Sequence, residues 1–343
     1  MSRLMVTRIR LFLILTAISA AGGAIEVWSR HIGHDHPVQT LILVGAANWC
    51  IGGSLVWAFE LFFVPGRYGT FIRELHFVAA ILIKTLVVLA IVLATTIFGR
   101  AVFEGVTDLS FFRSPEYYKT VATVFIALFI IQTIVQIVRI IGGRTLIYFV
   151  LGRYRKPVQE DRIFMFLDLA GSTTLARELG DIGVQSMITR FFLDIAEPIA
   201  EYQGETHRYV GDQIVVTWPL KDPVSNARAI NCCFAIADRV EQLAPRYQKI
   251  FGTTPRFRIG LHGGPVVVSQ CGDNKQEISY FGDTVNTAAR IEQQCKEFDC
   301  SLLVSGELMN QVGLPEGFTS RAIGQTQLRG RDEPTELFTV DRD

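Results

Sequence analysis

The 343-residue sequence predicts two architectures in one chain: an α-helical unit of four membrane spans, then an α+β unit in βαββαβ order with an antiparallel sheet. Three observations predict this. Four apolar stretches in the first half approach or exceed the roughly 20 residues needed to cross a bilayer. The formal charge of zero hides a split: residues 1–150 carry 12 Lys+Arg and 7 Asp+Glu (+5), and residues 151–343 carry 21 and 26 (−5). After residue 162, short β-rich runs alternate with stretches of helical periodicity. With 49% hydrophobic and 19% charged residues, the composition excludes a disordered chain, a basic nucleic-acid-binding protein and a disulfide-rich mini-protein.

The spans are Ile9–Trp28, Thr40–Val64, Phe77–Phe98 and Thr120–Ile141. A cleavable signal peptide over residues 1–24 is the alternative for the first, because Ala20-Ala21-Gly22-Gly23-Ala24 offers small residues after an apolar core. Arg3, Arg8 and Arg10 precede the first span, Arg67 and Arg73 follow the second, and Arg144, Arg153, Arg155 and Lys156 follow the fourth. The positive-inside rule therefore places both termini in the cytoplasm, giving a multi-pass protein of the cell (inner) membrane. Two polar features stand out. His31, His34, Asp35 and His36 cluster in an outer loop, as a metal or pH site or as a plain solvated loop. Lys84 lies inside the third span, where it either pairs with Glu60, snorkels or serves function. The six cysteines lack CxxC spacing and read as reduced thiols.

Residues 1–141 thus form the membrane unit. Residues 142–161 read as a juxtamembrane connector whose basic residues suit anionic lipid, and residues 162–343 as the cytosolic unit. Arg162–Leu169 is a short apolar strand, and Ser172–Tyr202 a helix closed by Gly204. Thr206–Val210 and Gln213–Trp218 pair across a Gly211-Asp212 turn. Pro223–Gln248 reads as one helix, and Arg256–Ser269 as a strand broken at Gly263-Gly264-Pro265. Asp283–Phe298 is a helix capped near Asp283 or Thr284; strands at Ser301–Val304 and Glu336–Val340 complete the sheet, with helices on one face.

Asp168 ends the first strand just before Gly171-Ser172-Thr173 opens a helix. A carboxylate beside free helix N–H groups suits a hard cation together with a phosphate. Asp212 sits at the hairpin turn, which this strand order brings near Asp168. Two carboxylates there suit two Mg²⁺ ions about 3.5–4 Å apart, as phosphoryl transfer often uses. Each Asp taken singly is more often a cap or turn residue.

Three blocks then carry a resemblance: F-L-D-L-A-G-S-T (Phe166–Thr173), G-E-T-H-R-Y-V-G-D (Gly204–Asp212) and F-G-D-T-V-N-T-A-A-R (Phe281–Arg290). In this order and spacing, over more than half of the chain, the sequence resembles the class III nucleotidyl cyclases. The resemblance implies a ferredoxin-like cyclase fold and a head-to-tail homodimer with active sites at the interface. It also implies two Mg²⁺ or Mn²⁺ ions per site, held by Asp168 and Asp212 with help from the Leu169 carbonyl. The backbone at Ser172 and Thr173 would cradle phosphate. Asn286 and Arg290, four apart on one helix face, would come from the partner chain to orient ribose and stabilise charge on the α-phosphate. The implied reaction is attack of the ribose 3′-hydroxyl on the α-phosphate with loss of pyrophosphate. Arg258 and Arg331 match cation positions for the terminal phosphates, with Arg331 replacing a more usual lysine.

Base selection departs from the family pattern. Arg208 stands where adenylyl cyclases usually carry Lys and guanylyl cyclases Glu, and Ser279 stands at the second selecting position. Arg208 only donates, which suits adenine N1 and opposes guanine N1–H, and Ser279 can accept from the adenine amino group. ATP is the expected substrate, with GTP or both nucleotides as the alternative. A degenerate domain serving as a dimeric receptor or scaffold is a further alternative, opposed by the presence of all four expected metal and partner residues. The remaining partners expected are a second copy and the bilayer, without nucleic acid.

Overall fold

The computed structural model describes residues 3–30, 38–69, 71–72, 75–103, 113–220, 223–331 and 333–342. The His31, His34, Asp35 and His36 cluster lies outside the described residues. The chain divides into two compact units, Met1–Ile147 and Tyr148–Asp343.

The first unit holds four long helices: α1 (Arg3–Arg30), α2 (Val38–Ala58), α3 (Phe77–Phe103) and α4 (Pro115–Ile141). Each is long and apolar enough to cross a membrane, α2 together with the π-helical turn Phe59–Phe63 that continues it. Ser114 caps α4 by accepting the Tyr117 backbone N–H, and Pro115 follows where no amide is needed. Small residues let α1 and α2 approach closely: a Cβ on Gly23 would stand 2.5 Å from the Gly45 carbonyl oxygen.

The expected alternative of a Lys84–Glu60 pair is the arrangement found. Lys84 is 2% exposed and its Nζ lies 3.0 Å from Glu60 Oε2, while Gln132 Nε2 donates to Glu60 Oε1 at 2.8 Å. Glu60 sits in the π-helical turn, so one carboxylate ties α3 and α4 to the end of α2. Lys84→Met strands this carboxylate among apolar helices and should cost about 3–5 kcal/mol. The Glu60→Gln/Lys84→Met double variant should recover most of that loss. Thermal unfolding of the detergent-solubilised chain checks it; a single variant as stable as wild type would show that the pair carries no weight.

The second unit begins inside α5 (Gly143–Val150) and continues through β1 (Val158–Leu169), α6 (Ser172–Glu201), β2 (Glu205–Val210), β3 (Gln213–Pro219), α7 (Pro223–Gln242), α8 (Ala244–Phe251), β4 (Phe257–Cys271), β5 (Glu277–Phe281), α9 (Asp283–Glu297), β6 (Leu302–Ser305), α10 (Gly306–Gln311), β7 (Phe318–Thr326) and β8 (Thr335–Arg342). The sheet order is β2-β3-β1-β4-β6-β8-β7, with β5 paired to β4. β1 begins inside the stretch read as connector, and Tyr154 of that stretch is buried with Phe164, Phe166 and Val268.

β1 explains why its sequence is continuously apolar. Ile163, Met165 and Leu167 pack on one face against Phe191 and Ile195 of α6 and Cys232 and Ile236 of α7. Phe164 and Phe166 pack on the other with Tyr154, Val266, Val268 and Ala288 of α9. A central strand buried on both sides has no polar face to alternate. Helices therefore cover both faces, not one as expected.

Several further expectations change. The sheet is mixed: β4 and β6 are parallel because α9 crosses over between them. β4 is unbroken at Gly263-Gly264-Pro265 and pairs with β1 through all three. Pro265 falls between the stretches where the other edge of β4 pairs with β6 and β5, so no second-ladder donor is required of it. Pro245 divides the expected helix over Pro223–Gln248 by opening α8. Gly282, with φ 139°, is the N-cap of α9, and Thr284 instead donates its hydroxyl to the Pro265 carbonyl at 2.7 Å.

Candidate functional site

The antiparallel register places Asp168 opposite Gln213 on β3 and opposite Arg258 on β4. Asp212 immediately precedes Gln213 in the β2–β3 turn, where Gly211 supplies the positive φ of 60°. Asp168 and Asp212 are thus close enough to repel. Burial first, and the Asp212 charge second, push the Asp168 carboxyl up to about 6; Arg258 and the Leu169 backbone pull it back. Ser172 and Thr173 open α6 directly after Gly171, the N-cap at φ 76°. Their amides belong to the first turn, whose N–H groups have no intrahelical acceptor.

Glu292 joins this group although the sequence reading missed it. It is 4% exposed on α9, and burial first, with the charges of Asp168 and Asp212 adding to it, pushes its carboxyl up to about 7 against the opposing pull of Arg258. The signal for its position is Gly260: a Cβ there would stand 2.3 Å from the Glu292 backbone nitrogen, so β4 and α9 touch backbone to backbone.

The same helix turns Asn286 and Arg290 elsewhere. Residues two apart on a helix point about 200° apart, so the seat of Glu292 directs Arg290 away from the carboxylates. Asn286 is exposed. Arg290 Nη1 lies 3.8 Å from Asp283 Oδ1, and its guanidinium flanks Gly330. Arg331 gathers beside it: Nε is 3.2 Å from Asp283 Oδ2, Nη2 is 3.0 Å from Glu307 Oε1, and Nη1 donates to the Thr335 hydroxyl at 3.0 Å. The residues of the expected site therefore separate into three groups: Asp168, Leu169, Ser172, Thr173, Asp212 and Arg258 in one, Asn286, Arg290 and Arg331 in a second, and Arg208 with Ser279 in a third.

Arg208 on β2 and Ser279 on β5 are brought together, but through a third residue. Arg208 Nη2 is 2.9 Å from Glu277 Oε1, and the Ser279 hydroxyl donates to the same oxygen at a long 3.5 Å.

Residues 156–341 match the family model described as the adenylate and guanylate cyclase catalytic domain. The chain belongs to this family. Its cyclase domain is similar to adenylate cyclase 2 of Rhizobium meliloti (strain 1021), with 40% identity over 207 residues, covering 60% of this chain and 57% of that protein. It is also similar to the adenylate cyclase of Anabaena cylindrica, 25% identical over 182 residues, covering 51% of this chain and 36% of that protein. The chain therefore spans little more than half of the first relative and a smaller part of the second. Among solved structures, a bacterial light-regulated adenylyl cyclase has the same fold, with TM-score 0.53 and 22% identity over 63% of this chain and 64% of that one.

The donor set of the cyclase domain fits a hard divalent cation. Asp168 and Asp212 are oxygen donors whose proximity is unfavourable without a positive charge between them. Among the described residues, no group of three His, Cys, Asp or Glu side chains is placed to hold a metal, so further ligands would be backbone, water or substrate oxygens.

His262 braces the Arg331 group. It is buried on β4, its Nδ1 is 2.7 Å from the Ser305 hydroxyl, and its Nε2 is 3.4 Å from Glu307 Oε2. Burial first, then Glu307, Arg331 and Asp283 with opposing signs, set its pKa; the net effect is a fall to about 4 from 6.5. The folded chain thus binds this proton less readily than the unfolded chain. Stability from the neutral ring is present above pH 6.5 and is lost as pH falls toward 4. Wild type should lose more thermal stability between pH 7 and pH 5 than His262→Asn does. Equal losses would show that folding leaves the proton affinity of His262 unchanged.

Proposed function

We propose that the chain is a membrane-bound adenylate cyclase that converts ATP to 3′,5′-cyclic AMP and pyrophosphate at the interface of a homodimer. The observation that carries this reading is the separation of the family's site residues by α9, which seats Glu292 beside Asp168 and Asp212 and turns Arg290 away. A complete site then needs the carboxylate group of one chain and the Asn286–Arg290 group of another. Exposed apolar side chains support a face for a second copy: Tyr209 and Val210 at the hairpin are each 53% exposed, and Phe281 of β5 is 50% exposed.

Asp168 and Asp212, with the Leu169 carbonyl, would hold Mg²⁺ or Mn²⁺. When bound, the metal ions would lower the pKa of the ribose 3′-hydroxyl and neutralise the triphosphate. The first-turn amides at Ser172 and Thr173 would cradle phosphate oxygens. Arg258 would bind the terminal phosphates beside the carboxylates, and Arg331 would do so from the partner. Arg290 and Arg331 both rest on Asp283, so this carboxylate stands where an anionic substrate would compete for them. Asn286 would hold the ribose, aligning the 3′-oxygen with the α-phosphorus, and Arg290 would meet charge developing on the α-phosphate. Arg208 and Ser279 would read the base, in favour of ATP.

The four long apolar helices support placement in the cell membrane with the cyclase domain in the cytoplasm, in accord with the basic residues after the second and fourth spans. Residues 1–147 would then anchor the enzyme and hold two cyclase domains at high local concentration.

Membranes carrying the full chain, supplied with Mg²⁺ or Mn²⁺ and either ATP or GTP, test the reading. ATP should yield cyclic AMP, GTP should turn over more slowly, and Asp212→Ala should lower the rate by at least about 100-fold, as expected when a principal electrostatic element is removed. No cyclic nucleotide from either substrate with either metal would overturn the proposal. Equal turnover of GTP would overturn the preference for ATP.

A further inference from the structure

Arg331 replaces the family's more usual lysine, and the structure grips its guanidinium in a way that an ammonium group does not permit. Two carboxylates meet it, and they differ in kind. Glu307 takes the far end of the group: Arg331 Nη2 donates to Oε1 at 3.0 Å and Nη1 to Oε2 at 3.4 Å. Nη1 also donates to the hydroxyl of buried Thr335 at 3.0 Å. The backbone is held too, because the Arg331 N–H donates to the Leu328 carbonyl at 3.1 Å and the Arg331 carbonyl accepts from the Gln327 side chain. Asp283 instead meets Nε, at 3.2 Å, and its side chain is 53% exposed. Glu307 is backed from inside the fold. It lies in the first turn of α10, whose N-cap Ser305 accepts the Leu308 N–H at 3.2 Å. The Ser305 hydroxyl proton is then directed to His262 Nδ1, 2.7 Å away. The neutral His262 ring, 3% exposed, carries its own proton on Nε2, which faces Glu307 Oε2 at 3.4 Å.

We propose that Glu307 is a positioning residue for Arg331: braced by His262 and Ser305, it holds the guanidinium so that the Nε–Nη2 edge, where Asp283 now sits, forms a two-pronged fork for a terminal phosphate. This inference rests on the cyclase reading and deepens it. A guanidinium has five N–H donors in a fixed plane. Glu307 and Thr335 take three of them, which leaves the Nε hydrogen and one Nη2 hydrogen on one edge. Asp283 meets that edge through Nε, so a phosphate taking its place would gain a second charge-assisted hydrogen bond. Lysine, with three donors on one atom, cannot make the three inward contacts and still offer two donors to a phosphate. The arginine and its buried support therefore work as a unit.

The test uses the full chain in membranes with Mn²⁺ and ATP, and with pyrophosphate as the competing ligand. Losing the orientation of a charged, two-pronged contact predicts that Glu307→Ala lowers kcat/KM for ATP by about ten- to a hundred-fold and weakens inhibition by pyrophosphate by about tenfold. Glu307→Gln, which keeps one acceptor oxygen, should lose less. Arg331→Ala should lose at least as much as Glu307→Ala. Adding Glu307→Ala to Arg331→Ala should cost less than about twofold more, because a residue that acts through another then has nothing to act on. A merely structural lesion at the start of α10 lowers the rate by the same factor with or without Arg331, and that result would overturn the inference. Unchanged kcat/KM and unchanged pyrophosphate inhibition in Glu307→Ala would overturn it as well, and either result leaves the cyclase reading standing. Wild type that forms no cyclic nucleotide from ATP would overturn both.

Discussion

Two carboxylates held together against their own repulsion are the constraint from which the rest of the cyclase domain follows. Asp168 is fixed by a strand hydrogen-bonded on both edges, and Asp212 by a tight turn that permits no drift along the chain. Burial, and then the Asp212 charge, raise the Asp168 pKa, so ionised Asp168 is held in this position at a cost. The fold tolerates that cost because β1 is buried on both faces, so the strand ends where its neighbours dictate. Under the proposed function, a divalent cation between the two carboxylates would relieve this cost and add to the stability of the fold.

The contact of α9 with β4 at Gly260 sets the second constraint. It brings Glu292 to the carboxylates and, by helical geometry alone, carries Asn286 and Arg290 away from them. Under the proposed function, the residues that act on one nucleotide would be shared between two chains, and the chemistry would require dimerisation. The exposed apolar side chains at the β2–β3 hairpin and on β5 belong to the same logic. The Asp283 contacts keep Arg290 and Arg331 paired, and in the proposed reaction a substrate phosphate would take the place of that carboxylate.

Much of this was legible in the sequence, for definite reasons. The four long helices follow from length and apolarity, and the β2–β3 hairpin from Gly211-Asp212 between two β-rich runs. The Lys84–Glu60 pair is one of the arrangements the sequence admits, because a charge within a long apolar helix needs a partner. What escaped notice depended on tertiary placement. β5 is a five-residue strand that gains meaning only beside β4, and β7 is largely exposed, with no apolar alternation to announce it. Glu277 meets Arg208 across 69 residues of sequence. Glu292 reads as one more polar residue on a helix until Gly260 draws that helix down onto the sheet. The Gly263-Gly264-Pro265 run read as a strand break because local propensity ignores the continuous pairing that β1 provides.

The most direct measurement of the shared-site claim mixes two inactive variants of the full chain in one membrane. Asp212→Ala removes a metal carboxylate, and Asn286→Ala removes the ribose contact. Each alone should be nearly inactive. Equal co-expression should restore about a quarter of the wild-type rate of cyclic AMP formation, because half of the dimers formed at random pair the two variants and each such dimer keeps one intact site of two. No recovery in the mixture, with both variants present at wild-type levels and co-purifying, would contradict a site shared between chains.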